Sequence, residues 1–301
     1  MLDFPGKFGI MEKQLKSRQF GTILSINKTT GKRKRAESVC LCCQIGWCTA
    51  RYANFFAQKG REITVELTRY SVIRDKNPRE IVLLRGRGCA WKRCKFCDYH
   101  LDASRDEQAN FALNREALGR VTGVYHRLEA INSGSFAELD ESTVRLILDT
   151  CRARDIRDLH VESHWLFRRT LPALRERFEQ AGVRLHVKIG VETFDAAYRE
   201  AKLDKGIDET DPAKIAAQFD DCCLLFGLAG QTVESMKRDI ETGLSFFDRV
   251  CVNIMVPNST EVRPDDSVRA AFVREVYPLY KDNDRVDILL ENTDFGVGDA
   301  K

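Results

Sequence analysis

Residues 81–97 read IVLLRGRGCAWKRCKFC, and this stretch decides how the rest of the chain is interpreted. The apolar run at 81–84 predicts a short β-strand. Glycines and basic residues follow it at once, which predicts a loop. Cys89, Cys94 and Cys97 lie on that loop with the spacing C-x4-C-x2-C. The stretch therefore predicts three thiols at the carboxyl end of a strand.

Downstream of this loop, short apolar runs alternate with amphipathic segments, which is typical of successive β-α units. The predicted strands are 81–84, 127–131, 158–162, 183–191, 222–226 and 249–255, with a last apolar run at 286–290. The predicted helices are 114–120, 142–154, 167–180, 195–203, 212–219, 233–247 and 268–280. With right-handed crossovers, these units predict an α/β fold, a partial (β/α)6-type or full TIM-like parallel barrel. An open, doubly wound sheet is the alternative.

Polar side chains recur where the predicted strands end. They are Asn132, Glu162, Glu192, Gln231 and Asn253. The carboxyl ends of barrel strands form one rim, and barrel enzymes carry their chemistry there. This distribution favours the barrel over the doubly wound sheet.

The composition of the 301-residue chain, with 43% hydrophobic and 31% charged residues, is that of an ordinary globular protein. No apolar run approaches the roughly 18 residues that a membrane span needs. Charged residues interrupt the first twenty positions, unlike a secretory signal. We therefore expect a cytoplasmic protein with no membrane partner.

The formal net charge of +3 conceals an asymmetry. Residues 1–61 hold twelve Lys or Arg against three acidic residues, a charge of +9, which leaves −6 for residues 62–301. A negatively charged main domain is not expected to bind nucleic acid. We interpret residues 1–61 as a basic, Cys-rich extension and residues 62–301 as one catalytic barrel.

Eleven cysteines are many for a chain in a reducing compartment, where clustered thiols hold metal more often than they form disulfides. One group matches no known ligand spacing, although it allows an auxiliary cluster or zinc: Cys40, Cys42, Cys43 and Cys48. Four scattered cysteines are predicted to be small core side chains: Cys151, Cys222, Cys223 and Cys251.

The thiols of the 81–97 stretch suit either zinc or an iron-sulfur cluster, because thiolates are soft ligands. Neighbouring Arg87, Lys92 and Arg93 favour thiolates and offset the charge of a cluster. A structural zinc needs a fourth ligand, which His100 or the extension would supply. Three thiols alone leave one iron of a [4Fe-4S] cluster open to a non-protein ligand. We favour the cluster, since a zinc knuckle has no need to follow the first strand of a barrel.

With this loop and the turns after later strands, residues 62–301 resemble the radical S-adenosylmethionine (SAM) superfamily. Three cysteines after the first barrel strand hold a [4Fe-4S] cluster there, usually spaced C-x3-C-x2-C, and the open iron binds SAM. In this chain four residues, and not three, separate Cys89 from Cys94, and Phe96 lies between Cys94 and Cys97. The resemblance implies cofactor contacts from Phe96 and from Asn132, Ser133, Gly134, Ser135, Glu192, Gly227 and Gly230. It also implies an electron donor such as flavodoxin or ferredoxin.

Four stretches resemble, within that superfamily, the queuine lyase family of queuosine salvage. They are LLRGRGCAWKRCKFCDYHLD at 83–102, LEAINSGSFAELD at 128–140, HVESHW at 160–165 and ILLENTDFGVG at 288–298. The resemblance implies cleavage of queuine or a queuosine derivative to a deazapurine precursor for tRNA modification. The side chains predicted to be catalytic are Glu162, His164 and Lys188. Those predicted to bind the substrate are Asn253, Asn292 and Asp294.

Structural alternatives stay open for several of these residues. His164 could cap the next helix, Lys188 could pair with Glu162, and Asn292 with Asp294 could form a turn. Glu138 and Asp140 are assigned to the helix that follows them. Two functional alternatives also stay open. One is a radical SAM enzyme acting on tRNA or another small metabolite, and the other is a zinc-binding nucleic-acid interaction protein.

Overall fold

One sheet organises the fold, and its eight strands follow one another in chain order. The computed structural model of the protein describes residues 67–298. The strands are β1 (Tyr70–Ile73), β2 (Arg79–Leu84), β3 (Arg127–Asn132), β4 (Asp158–Glu162), β5 (Arg184–Glu192), β6 (Asp221–Phe226), β7 (Arg249–Ile254) and β8 (Val286–Leu289). β1 is antiparallel to β2, and the six later pairs are parallel.

The strand order never reverses, which excludes the doubly wound alternative because that fold has a switch point in its sheet. Six β-α units run from β2 onward, and β8 ends the series. β1 and β8 are the two edges of the curled sheet. The prediction of a partial barrel is confirmed.

Helices alternate with the parallel strands and cover the convex face of the sheet. They are α1 (Glu107–Gly119), α2 (Glu141–Ala153), α3 (Leu171–Glu179), α4 (Ala196–Tyr198), α5 (Pro212–Ala216), α6 (Val233–Phe246), α7 (Asp266–Ala271) and α8 (Tyr277–Tyr280). One face of each parallel strand contributes to a single apolar core beneath them, as Val82, Leu128 and Val250 do. Within residues 67–298, no helix is long and apolar enough to cross a membrane.

Helix α1 begins at Glu107 and not near Asn114, as the apolar pattern predicted. The Asp106 side chain accepts a hydrogen bond from Ala109 N and caps the helix. Two buried asparagines then face the sheet. The Asn110 side chain accepts from Arg85 Nε at 2.8 Å, and the Asn114 side chain bonds both the N–H and the carbonyl of Arg85. Polar groups hold this helix, so hydrophobic periodicity missed its first turns.

The structure differs from the predicted elements at three further places. Strand β1 was not predicted, because its four residues are all half-buried and lack an alternating pattern. The segment predicted as one helix at 167–180 is a 3-10 helix (Trp165–Thr170) followed by α3, with Pro172 in the first turn of α3. The segment predicted at 268–280 contains a π-helical turn (Phe272–Val276) just before Pro278, which lacks an N–H. Asp140 does cap α2, as predicted.

Strand alternation divides the four scattered cysteines between the two faces of the sheet. Cys151 and Cys222 lie in the convex core, as predicted. Cys223 and Cys251 pack in a separate small cluster with Leu289. All four are buried in hydrophobic clusters, which confirms that they are core side chains. The predicted extension, including its four clustered cysteines, lies outside the described residues.

Candidate functional site

The three predicted thiols lie on the loop that follows β2, and all three are partly exposed. Three hydrogen bonds tie the loop to two other segments, the one that ends at Leu203 and the loop after β7. Lys95 N donates to Leu203 O at 3.0 Å, and Val262 N donates to Lys95 O at 3.3 Å. The Asn258 side chain donates to Phe96 O at 2.7 Å. These bonds fix the backbone around the inner pair of cysteines.

Glu138 joins the cysteine loop to the turn after β3. One of its carboxylate oxygens accepts from Ala90 N at 2.6 Å, and the other accepts from Ser135 N at 2.8 Å. Gly134 lies between them, and a Cβ at that position would stand 2.6 Å from Gly88 O. The expectation that Glu138 only serves the following helix is therefore wrong: its carboxylate holds two loops of the site together.

We expect Glu138→Ala to lower the free energy of unfolding by about 2 kcal/mol, because two backbone N–H groups lose a charged acceptor. Denaturant unfolding of the purified protein measures this. Glu141→Ala is the matched control, since Glu141 makes exposed ion pairs with Arg145 and Arg177 and its loss should cost at most about 0.5 kcal/mol. Equal losses in the two variants would contradict the bridging role of Glu138.

A positive charge lies beside the inner thiols. Lys205 Nζ is 2.7 Å from Glu192 Oε1 and 5.5 Å from the centre of the Phe96 ring. Burial opposes its charge, but Glu192 together with Cys94 and Cys97 outweighs burial and raises the pKa of Lys205 above its usual value. Burial raises the pKa of the Cys94 thiol to about 12, and Lys205 acts against that rise. Lys205 therefore offsets negative charge brought to this loop.

The pair of Lys205 and Glu192 depends on the end of β5. Glu192 adopts a left-handed backbone conformation, with φ of 67°, where the pairing of β5 with β6 shifts register. A Cβ on Gly190 would overlap the Glu192 carboxylate and would stand 2.7 Å from Lys205 Nζ. A larger residue there would displace the ends of these two side chains. One oxygen of Glu192, predicted to accept from the cofactor, is thus engaged by Lys205.

Two buried polar atoms beside the loop have no partner within residues 67–298. They are Asn132 Oδ1 and Ser163 Oγ, at the carboxyl ends of β3 and β4. Buried polar atoms are rarely left unpaired in a folded protein unless a ligand or solvent reaches them. Asn132 was predicted from sequence, whereas Ser163 was not. Both suit a ligand with hydrogen-bonding groups.

Below the rim, the concave face of the sheet carries charged groups. Arg79 Nε donates to Glu129 Oε2 at 2.6 Å, and the other oxygen of Glu129 accepts from Lys188. Burial would raise the pKa of Glu129, but Lys188 and Arg79 outweigh it and hold that pKa well below its usual range. Glu129 in turn raises the pKa of Lys188 well above normal against the effect of burial. The three groups are therefore ionised.

Glu162 stands next to this network with most of its hydrogen-bonding capacity unused. Its Oε1 lies 3.6 Å from Lys188 Nζ, which is in register on the next strand, and its side chain keeps 39% exposure. The predicted pairing of Lys188 with Glu162 is present, but Glu129 is the closer partner of Lys188. Glu162 is thus available to a ligand in the concavity.

His164, predicted to be catalytic, uses both ring nitrogens inside the protein. Nδ1 accepts from Leu166 N at 3.1 Å, and Nε2 lies 2.7 Å from Lys205 O. Burial lowers the pKa of His164 to about 4, so the ring is neutral at pH 7. The ring also stacks on Trp91. The alternative that His164 caps the next helical segment matches this geometry.

The remaining predicted residues divide between the rim and its surroundings. Ser133 Oγ donates to Asp102 O, and Ser135 Oγ accepts from His164 N. Phe96 packs on an apolar cluster that includes Leu225 and Met255.

Gly227 and Gly230 both adopt left-handed conformations in the turn after β6, close to that cluster. Asn253 lies in β7, in register with Leu289 of β8.

Asn292 and Asp294 lie apart from the thiols, in the turn after β8. Asp294 Oδ2 accepts from Leu290 N at 2.7 Å and from Glu291 N at 3.0 Å, so it closes that turn. Asp294 also lines a lateral cavity of about 470 Å³ between β1 and β8. Among the described residues, no cysteine lines that cavity.

Sequence reasoning missed several residues of the site, namely Tyr99, Glu129, Ser163 and Lys205. Lys205 lies on a connecting segment without periodicity, and its partner is thirteen positions away. Tyr99 begins the 3-10 turn (Tyr99–Asp102) that follows the cysteines, and 58% of the residue is exposed. The stretch CDYHLD that holds Tyr99 was noted only for its resemblance.

The chain is similar to a solved structure, the queuine lyase from Clostridium spiroforme bound to SAM and queuine. The two share 40% sequence identity, the match covers 78% of this chain and 100% of that chain, and the TM-score is 0.74. A sporulation-specific glycosylase from Bacillus subtilis is 14% identical over 69% of this chain and 78% of that chain, with a TM-score of 0.30. No family model matches the chain. No curated protein matches it either.

Proposed function

Because this chain belongs to the queuine lyase family of radical SAM enzymes, we propose that it cleaves queuine by means of a [4Fe-4S] cluster bound to Cys89, Cys94 and Cys97. The observation that carries this proposal is the 40% identity to a queuine lyase over the whole length of that protein. The product expected from queuosine salvage is a deazapurine precursor for tRNA modification.

The donor set of the cysteine loop fits a cluster better than a single zinc ion. Thiolates on one tetrahedral zinc lie about 3.8 Å apart, given Zn–S bonds of about 2.3 Å. Within residues 67–298, the one group of three candidate ligands whose atoms all lie within 4.8 Å of each other is His186, Asp220 and Asp248. The three thiols are spread more widely, as ligands of separate irons are. When bound, a reduced cluster supplies the electron that cleaves SAM to a deoxyadenosyl radical.

The residues around the loop are suited to hold SAM. Its amino and carboxylate groups require partners that are polar and preorganised, and Asn132 Oδ1 and Ser163 Oγ are buried without one. Phe96, Gly227 and Gly230 provide apolar surface and tight turns for the adenosyl part. Lys205 balances the negative charge of a thiolate-bound cluster and of the SAM carboxylate.

Glu162 is the carboxylate best placed to bind the deazaguanine base. That base presents a ring N–H and an amino group on one edge, which together suit a carboxylate with two free oxygens. Glu129 is engaged by Arg79 and Lys188, and Glu192 by Lys205, whereas Glu162 has only a 3.6 Å ion pair. Burial raises the pKa of Glu162, and the neighbouring Lys188 acts against that rise. Asn253, on the same face, is available to a hydroxyl of the cyclopentenediol.

The residues of the protein therefore bind and orient SAM and queuine and exclude water from them. A flavodoxin or ferredoxin would deliver the electron at the partly exposed thiol loop. The seven cysteines within residues 67–298 are free thiols, which supports a reducing compartment such as the cytoplasm.

The test is anaerobic reconstitution of the full chain with iron and sulfide, followed by reduction and incubation with SAM and queuine. We expect a brown protein whose absorption bleaches on reduction, and equal release of deoxyadenosine and a deazapurine product. A colourless protein that retains zinc would refute the cluster. Deoxyadenosine without deazapurine product would keep the radical chemistry and refute queuine as substrate; queuosine-containing tRNA is then the next substrate to supply.

A further inference from the structure

Two cysteines face each other on the concave side of the sheet. Cys223 in β6 and Cys251 in β7 are register partners on neighbouring parallel strands. Such strands lie about 4.8 Å apart, so the two side chains leave the sheet together on one face. Cys222, one residue earlier, points to the convex core, where a Cβ on Gly243 would stand 3.2 Å from its sulfur. Strand alternation therefore separates Cys222 from the pair.

The pair belongs to the same concave space as the proposed substrate residues. The interaction with the Cys251 thiol, followed by burial, raises the pKa of Cys223 well above its usual value. On β5, Cys223 is in register with Gly190, two residues beyond Lys188 on the same face, and Lys188 is in register with Glu162 of β4. Cys223 and Cys251 keep 8% and 6% exposure, so a ligand in the concavity can reach them.

A protonated thiol is a hydrogen-atom donor, since its S–H bond is weaker than the C–H bonds of most alkyl carbons. A lyase that removes a hydrogen atom from its substrate leaves an unpaired electron on a fragment after the bond breaks. That fragment needs a hydrogen atom before it can leave as a stable product. The elevated pKa keeps the Cys223 thiol protonated at neutral pH, with its hydrogen available.

We propose that Cys223 donates a hydrogen atom to the carbon radical formed when queuine is cleaved, an inference that rests on the proposed function. The S–H bond breaks homolytically, a C–H bond forms on the fragment, and a thiyl radical remains on Cys223. One electron from the flavodoxin- or ferredoxin-type donor and one proton from solvent then restore the thiol. Cys251 is a positioning residue that orients the S–H group of Cys223.

The experiment determines whether that hydrogen atom comes from an exchangeable thiol. Thiol hydrogens exchange with solvent, whereas carbon-bound hydrogens of substrate and SAM do not. Reaction in D2O is therefore expected to place one deuterium on carbon in a product fragment, as measured by mass spectrometry. In Cys223→Ala and Cys223→Ser, deuterium per product should fall at least about tenfold. Alanine has no hydrogen to donate in this way, and the O–H bond of serine is too strong to give up its hydrogen atom to a carbon radical. Cys251→Ser should reduce labelling less.

Cys222→Ala is the matched control, since it removes a neighbouring thiol from the opposite face. It should retain full labelling, and denaturant unfolding of each variant separates chemistry from folding. Product without carbon-bound deuterium in the wild type would overturn the inference, as would labelling that persists in Cys223→Ala. Absence of both deoxyadenosine and product would instead count against the proposed function.

Discussion

Cys94→Ala is expected to abolish cluster binding and to lower queuine turnover by at least about 10⁴-fold, equivalent to about 5.5 kcal/mol of barrier. Cys94 lies between the other two thiols in sequence, and its backbone carbonyl accepts from Cys97 N at 3.3 Å. Two remaining thiols cannot fill three ligand positions, and the cofactor carries the difficult chemistry. Iron and sulfide content after reconstitution and the rate of deoxyadenosine release measure the effect.

The control for this variant is Cys222→Ala, which removes a buried thiol on the convex face of β6. It should bind iron and sulfide as the wild type does and should retain turnover. Denaturant unfolding of apo Cys94→Ala should stay within about 1.5 kcal/mol of the wild type, because a small side chain on a loop is lost. Full iron content in Cys94→Ala would contradict the assignment of the cluster.

Glu129→Gln is expected to lower the free energy of unfolding by about 3–5 kcal/mol, because it leaves two buried cations, Arg79 and Lys188, without their shared anion. The loss is measured by urea or guanidinium denaturation near pH 7. Glu116→Gln, at an exposed position of α1, is the control and should change stability by at most about 0.5 kcal/mol. A similar small change in Glu129→Gln would contradict the role of the network.

The same network sets a pH dependence. Glu129 has a lower pKa in the folded protein than in the unfolded chain, where the carboxyl titrates near about 4.3. Its contribution to stability is therefore complete above that pH and declines as the pH falls toward the folded value. Denaturation curves from pH 7 to pH 3 should show wild-type stability falling below about pH 4.3. Glu129→Gln should show a smaller fall, and parallel curves for the two proteins would contradict this assignment.

Local patterns were sufficient for the parts of the site that lie next to a strand. The apolar run at 81–84 and the cysteines after it predicted the strand and the thiol loop at its carboxyl end. The sequence also left open a pairing of Lys188 with Glu162, and the structure contains that ion pair. Where the local pattern was polar, as in the first turns of α1 around Asn110, periodicity failed, because the helix is held by hydrogen bonds to Arg85.

By itself, the sequence predicted a parallel α/β barrel, partial or full, the thiol loop and the rim on which the polar residues gather, since each of these follows from spacing along the chain. Only the tertiary structure decided which side chains meet. In the tertiary structure Lys205 pairs with Glu192, and Glu129 pairs with both Arg79 and Lys188. Glu162 makes only the 3.6 Å ion pair with Lys188. The tertiary structure also set Cys223 against Cys251, although both had the pattern of core residues. Register between strands and loop docking bring together residues distant in the chain, and neither is encoded in a local period.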